Sequence, residues 1–184
     1  MKSAIFLDRD DTIIKNVPYN GDPSKVELMP TAPEALKLMK ELGYALFILS
    51  NQSGVGRGYI TREQVKLVNQ EMLRQLKEKD VTSPFTKIYN AYACPETGTN
   101  KELSYRKPLP AYVNQARDAY QLDLSRSYFI GDRVADVMCG KNAGCSSILV
   151  LTGSYKDEKD EALENADYAA KTLLEAAQWI QKVN

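Results

Sequence analysis

Histidine is absent from the 184 residues of this chain. That removes the Ser-His-Asp triad, the histidine general base and every imidazole metal ligand. Any catalysis has to use carboxylates, lysine, hydroxyls or tyrosine. Cysteine is scarce: Cys94, Cys139 and Cys145 make an odd count with no C-x-x-C spacing. Neither a disulfide framework nor a cysteine-built zinc site is supported, and a reducing cytoplasm is the expected setting. Net charge is also lacking, with 24 basic residues against 24 acidic ones, so no nucleic-acid partner is expected. Apolar runs are short. None approaches a membrane span, and residues 4–7 are too brief a run for a signal peptide, so no membrane association is expected. Repeats and low-complexity tracts are missing too. What remains is an ordinary globular composition, 43% apolar and 26% charged, read as one domain over residues 1–184.

The chain is organised around Asp8-Arg9-Asp10-Asp11-Thr12. The apolar run before it reads as a buried strand, which delivers the acids to the loop beyond its carboxyl end. Open α/β sheets bind ligands at such loops. Asp8 and Asp10, one residue apart, repel each other unless a cation or proton separates them. A hard divalent metal with oxygen ligands, or acid–base work, fits that pair; alone, it equally suits a solvated Asp-rich turn.

Residues 15–30, with Pro18, Gly21, Pro23 and Pro30, predict an irregular surface excursion. Thr31-Ala32-Pro33-Glu34 spells a capping box opening a helix with Leu36, Met39 and Leu42 inward and Gly43 as its stop. A second strand covers 45–49 and ends in a small-residue loop over 50–58. Thr61 and Gln64 cap a helix whose face carries Val65, Val68, Met72 and Leu76. A third strand is expected over 88–93, then a loop over 94–103 and a helix from Pro110 to about Tyr120. Residues 128–130 form a strand ending at Gly131-Asp132-Arg133, followed by a helix that Gly144 ends. Residues 147–151 form another strand ending at Thr152-Gly153. The charged segment 156–164 reads as a solvated loop or helix. A last helix starts near Thr172, with Leu173, Leu174, Ala177 and Ile180 inward.

Alternating strands and helices predict an α/β fold with a mostly parallel central sheet and helices on both faces. Four strands end in polar residues: Asp8/Asp10, Ser50/Asn51, Asp132 and Thr152. In a parallel sheet these ends share one edge. Each alone is an ordinary turn; together they make a reactive rim. Asp8 is placed to attack and Asp10 to give and take a proton. Asp132 suits a Mg²⁺ site, Ser50 and the amides near Asn51 suit anionic oxygens, and Lys107 brings positive charge. Phosphoryl transfer requires this combination.

D-x-D-x-T at 8–12, Ser50, Lys107 before Pro108, and Gly131-Asp132-x-x-x-Asp136 resemble the four motifs of the haloacid dehalogenase-like (HAD) hydrolase superfamily. The resemblance implies a Rossmann-like three-layer sandwich, Mg²⁺, and phosphomonoester hydrolysis through an aspartyl-phosphate. It makes Asp8 the nucleophile and a metal ligand. Asp10 becomes the acid/base and a ligand through its carbonyl, and Asp132 the third ligand. Ser50 and Lys107 steady the phosphoryl group, and Asp136 supports. Asp8-Arg9-Asp10, Ser50-Asn51-Gln52-Ser53-Gly54, Arg57-Gly58 and Arg106-Lys107-Pro108 are similar to the histidinol-phosphatase-related branch, whose substrates are heptose 1,7-bisphosphates and histidinol phosphate. That implies a small phosphorylated metabolite, a sugar bisphosphate first, with Asn51, Gln52, Ser53, Arg57, Arg106 and Arg133 as substrate contacts. A histidinol-phosphate phosphatase, or a phosphatase of another small ester, is the alternative. Outside enzymes, a phospho-receiver-like domain or an inactive binding domain shares parts of the pattern.

Two departures stand out. Asp11 occupies a position where the family usually has Gly. The loop over 94–105 offers only Cys94 where the branch commonly holds structural zinc, so no zinc is expected. The segments 8–50 and 50–107 leave no room for a large cap domain. Tyr19, Tyr59, Tyr105 and Tyr155 either line the site or lie on the surface, and the oligomeric state is not legible.

Overall fold

A computed structural model describes residues 2–153 and 159–183. Six strands, β1 (Ala4–Leu7), β2 (Ala45–Asn51), β3 (Lys87–Ala91), β4 (Tyr128–Gly131), β5 (Ser146–Val150) and β6 (Tyr168–Ala170), form one sheet in the order β3-β2-β1-β4-β5-β6. Every pairing is parallel. All four residues of β1 are fully buried, as a parallel sheet covered on both faces requires. Ile5 and Leu7 face α1 (Ala32–Glu41), α3 (Arg62–Glu78) and α8 (Leu173–Val183). Ala4 and Phe6 face α5 (Ala111–Tyr120) and α6 (Val134–Ala143), and α7 (Lys159–Asn165) extends that layer through Ala162. The result is the α/β sandwich expected from the alternation.

Register aligns three aromatic residues in a row across the centre. Phe6 pairs with Phe47 on one side and Phe129 on the other, with ring centroids 5.2 and 6.2 Å apart. Burying each contributes about 1.5–3 kcal/mol, so the row anchors the strands whose ends carry Asp8, Ser50 and Asp132.

Local signals held unevenly. Thr61 caps α3 as expected, with Gln64 N donating to its Oγ1 at 3.2 Å and Thr61 N donating to Gln64 Oε1 at 2.8 Å. Thr31 makes no such bond. Its backbone is already helical (φ −96°, ψ −3°), because the turn from Met29 runs straight into α1, and the oxygen is not aimed at the first amides. β2 runs on to Asn51, so Ser50 and Asn51 are strand residues paired with Asn90 and Ala91. The rest of the expected loop contains the short helix α2 (Ser53–Gly56). The loop at 94–103 also contains a helical turn, α4 (Asn100–Leu103), capped by Thr99 and Glu102. β6 carried no strand signal, being only Tyr-Ala-Ala. Of the segment 156–164, residues 156–158 lie outside the described residues and the remainder belongs to α7. The excursion over 15–30 is tied back by an antiparallel bridge between Ile14 and Leu28.

Candidate active site

The carboxyl ends of β1, β2 and β4 meet around a cavity of about 840 Å³, with the end of β5 beside β4 at the same sheet edge. Asp8 follows β1 directly, and its amide continues the ladder by donating to Ile130 O at 2.9 Å. Asp132 directly follows β4. Thr152, two residues past β5, donates its hydroxyl to Asp11 O at 2.5 Å and ties the acidic loop to that strand end.

Asp8, Asp132 and Asp136 are all buried, and each offers an oxygen within 4.8 Å of the others. Asp136 reaches this group because Gly131 has no side chain: a Cβ there would overlap the Asp136 carboxyl. The Asp136 carboxylate also accepts from Arg133 N at 3.1 Å, fixing the first turn of α6. Gly153 permits a second close approach, since a Cβ there would strike both Asp11 and the Asp132 carboxylate. Lys107 enters from the loop before α5, with Nζ 2.5 Å from Asp8 Oδ1 and 2.5 Å from Asp136 Oδ1. The Asn51 amide fixes the Lys107 backbone, accepting from Lys107 N and donating to Lys107 O, both at 3.1 Å.

These contacts set the electrostatics. Burial raises the pKa of Asp8; Lys107 opposes the shift, and Asp136 and Asp10 reinforce it. Burial likewise raises Asp132, and Asp136, Asp8 and Asp11 add to it. Burial pulls the Lys107 ammonium down, but Asp136 and Asp8 outweigh it and hold lysine above its ordinary range. One ammonium among three buried carboxylates leaves negative charge in a low dielectric, and an oxygen-lined group of this kind fits a hard divalent cation.

The Asp10 carboxylate lies outside that group. It accepts from Arg9 Nη2 at 3.0 and 3.1 Å, Arg9 Nε at 3.3 Å, Gln52 Nε2 at 3.0 Å and Ser50 Oγ at 3.4 Å. Arg9 is almost fully buried and also donates to Asn69 Oδ1 at 2.9 Å. Neither Arg9 nor Asn69 was a sequence candidate. The cation inside D-x-D was the available signal for Arg9; Asn69 sits within an ordinary amphipathic helix and gave none. Asp11 has φ +56°, in the left-handed region that favours glycine, and its Oδ1 accepts from Asn16 N at 3.1 Å.

Ser53, Arg106 and Arg133 line the cavity with Asn51 and Gln52, whose amides are engaged as described. Arg106 is half-buried, and burial and the neighbouring Arg57 both pull its guanidinium down. Arg57 does not line the cavity; it donates to Tyr19 Oη at 2.8 Å and to Glu96 at 2.6 Å. Tyr19 lines the cavity and packs edge-on against Tyr59, while Tyr105 packs on Tyr112. Tyr155 lies outside the described residues. The loop at 94–105 is ordered by a Cys94 Sγ–Thr97 Oγ1 contact of 2.9 Å, the Thr99–Glu102 cap and the Arg57–Glu96 pair.

A model of the HAD-hydrolase-like family matches residues 104–176. A D-glycero-D-manno-heptose-1,7-bisphosphate 7-phosphatase of Chlorobaculum tepidum is 33% identical over 96% of this chain and 94% of its own. The chain belongs to the HAD-like hydrolases. Among other HAD-like relatives, the D-glycero-alpha-D-manno-heptose-1,7-bisphosphate 7-phosphatase of Photorhabdus laumondii is 35% identical over 92% of this chain and 95% of its own. The solved structure of D,D-heptose 1,7-bisphosphate phosphatase from B. bronchiseptica, complexed with magnesium and phosphate, shares the fold with a TM-score of 0.84 and 24% identity over both full chains. No helix among the described residues is long and apolar enough to cross a membrane.

Proposed function

We propose that this HAD-like hydrolase is a Mg²⁺-dependent phosphatase that removes the 7-phosphate of D-glycero-D-manno-heptose 1,7-bisphosphate through a phosphorylated Asp8. The observation that carries the chemistry is the Lys107–Asp8 contact of 2.5 Å within a buried carboxylate group open to the cavity. The names of the relatives carry the substrate. One Asp8 oxygen attacks phosphorus while the bond to the substrate oxygen breaks, and the Asp10 acid gives that alkoxide its proton. Asp10, now a carboxylate, takes a proton from water. The hydroxide attacks phosphorus, the bond to Asp8 breaks, and phosphate leaves. Asp8, Asp132 and the Asp10 carbonyl would hold magnesium, which would supply positive charge against the anionic ester. Lys107 and Ser50 hold phosphoryl oxygens. Arg106 is the proposed contact for the distal phosphate, being half-buried and bonded to Ala93 O only at 3.4 Å. Arg133 and Ser53 complete the rim.

The enzyme acts as one unit without a separate cap, and the loops at 16–20 and 93–106 shield the reaction from water. Its proposed setting is a reducing cytoplasm, in which Cys94, Cys139 and Cys145 stay free thiols. The test is phosphate release with Mg²⁺ from the heptose bisphosphate and from histidinol phosphate, with Asp8→Asn as the blank. Preference for the bisphosphate is expected. Preference for histidinol phosphate overturns the substrate, and an active Asp8→Asn variant overturns the mechanism.

A further inference from the structure

The geometry points to Arg9 and Asn69 as a two-residue positioning device for Asp10, reaching from the α3 helix to the acid/base carboxylate. It rests on the reading of Asp10 given above and extends it to a residue no motif contains. Arg9 is 1% exposed and the largest fully buried side chain among the described residues. Burying a guanidinium costs several kcal/mol unless its donors are satisfied. Here they are satisfied in two directions. Nη2 and Nε fork onto the two oxygens of Asp10, and Nη1 donates to Asn69 Oδ1 at 2.9 Å. A fork of this kind fixes the plane of a carboxylate as a single point charge cannot. Asn69 is 8% exposed, on the rigid middle of α3 rather than on a loop. It fixes the far end of the guanidinium, so the fork cannot swing away from Asp10.

Tying α3 to the β1 loop needs only apolar packing, which Val68 and Met72 already supply on either side of Asn69. A buried cation with an amide holding its rear gives orientation, which packing does not. Asp10 must hand over a proton and then recover one in each cycle, so its carboxylate must return to the same place. Gln52 donates to Asp10 Oδ2 at 3.0 Å, an oxygen Arg9 also holds, and part of the carboxylate still faces the cavity.

Asn69 also lines a second cavity, of about 410 Å³, between α3 and β3. A shortened side chain at 69 therefore opens to water rather than to a dry void, which makes Asn69→Ala a better probe than Arg9→Met. The experiment measures kcat/KM for two esters, the heptose bisphosphate and p-nitrophenyl phosphate. This parameter reports the step in which Asp8 is phosphorylated. The sugar alkoxide needs a proton from Asp10 to leave, whereas nitrophenolate does not. Asn69→Ala is expected to lower kcat/KM roughly tenfold or more on the bisphosphate and less than about threefold on the aryl ester, a fraction of the full general-acid effect. Asn69→Asp keeps an acceptor oxygen for Arg9 and is expected to restore most of the loss. Equal losses on the two esters, no loss on either, or no restoration by Asn69→Asp overturns the inference. A wild-type enzyme inactive on the bisphosphate is the failure of the proposed function itself, visible before any variant is made, and takes this inference with it.

Discussion

The Lys107 ammonium stands 2.5 Å from Asp8 Oδ1, with both residues more than nine-tenths buried. The same nitrogen contacts Asp136, so one cation compensates two carboxylates while Asp132 adds a third. Removing one member of a buried ionic group typically costs about 3–5 kcal/mol because its partners stay charged. Lys107→Met is expected to lower the melting temperature by several degrees in metal-free buffer and to reduce turnover at least about a hundredfold, since it also loses a transition-state charge. The destabilisation should be larger at pH 8 than at pH 5, where Asp8, raised by its burial, takes up a proton. Equal losses at both pH values would show that Lys107 stabilises by packing rather than by charge.

A second prediction follows from the raised carboxylates. Asp8 and Asp132 titrate well above the ordinary value of 3.8, Asp8 chiefly by burial and Asp132 by burial and its acidic neighbours. A group whose folded pKa is raised favours the folded state most below its unfolded pKa. That stability is lost as pH climbs toward the folded value. Metal-free protein should therefore melt at falling temperature as pH rises from about 4 into the neutral range. Magnesium binds the ionised carboxylates, so proton and cation compete, and its stabilisation should grow over the same interval. Differential scanning fluorimetry with EDTA and with Mg²⁺ tests both slopes. A magnesium effect independent of pH would place the ion elsewhere.

Asp11 supplies the third prediction. Its φ of +56° is a conformation an L residue adopts at a cost, reduced here by the bond from Asn16 N to its carboxylate. The same carboxylate raises the Asp132 pKa and so adds negative charge beside the proposed metal site. Asp11→Gly removes the conformational cost and the charge together. Turnover at saturating Mg²⁺ should rise a few-fold, because an anionic ester meets less repulsion, while the melting temperature should change little. Asp11→Asn, which removes the charge and keeps the side chain, separates the two causes: a matching rise assigns the effect to electrostatics.

The rim was legible because its parts obey short rules. A buried strand followed by acids marks a sheet edge, and strands with alternating helices share one direction. Asp8, Ser50 and Asp132 therefore meet around one cavity, and Lys107 joins them from the loop before α5. Side-chain orientation was not legible. Nothing in the order Asp8-Arg9-Asp10 says that Asp10 turns toward Arg9 and Gln52, or that Asp136 joins Asp8 and Asp132. Those facts depend on pairs distant in the chain and on Gly131 admitting a carboxyl over its Cα. Thr31 shows the same limit in the fold: its spacing is that of a capping box, but the preceding turn fixes its backbone first. β6 escaped because three residues cannot display a period.

Arg57 joins the two loops proposed to close the site, and the last prediction tests that bridge. It donates to Tyr19 Oη at 2.8 Å on one loop and to Glu96 at 2.6 Å on the other, while remaining outside the cavity itself. Its ion pair is solvent-exposed, with side-chain exposures of 28% and 58%, so it contributes at most about 1 kcal/mol to stability. Arg57→Ala should thus leave the melting temperature nearly unchanged. Its effect should fall on the cavity wall: KM for the bisphosphate rises about tenfold, equivalent to about 1.4 kcal/mol of binding, with kcat little altered. Glu96→Ala should reproduce part of that rise, and p-nitrophenyl phosphate, too small to span the wall, should show none of it. Because hydrogen bonds and this ion pair order the loop at 94–105, enzyme stripped of metal and resupplied with Mg²⁺ alone should recover full activity without zinc. A requirement for added zinc would transfer the bracing role from Arg57 to a metal. A large drop in melting temperature without a change in KM would make the bridge a structural tie, with the substrate wall built by other residues.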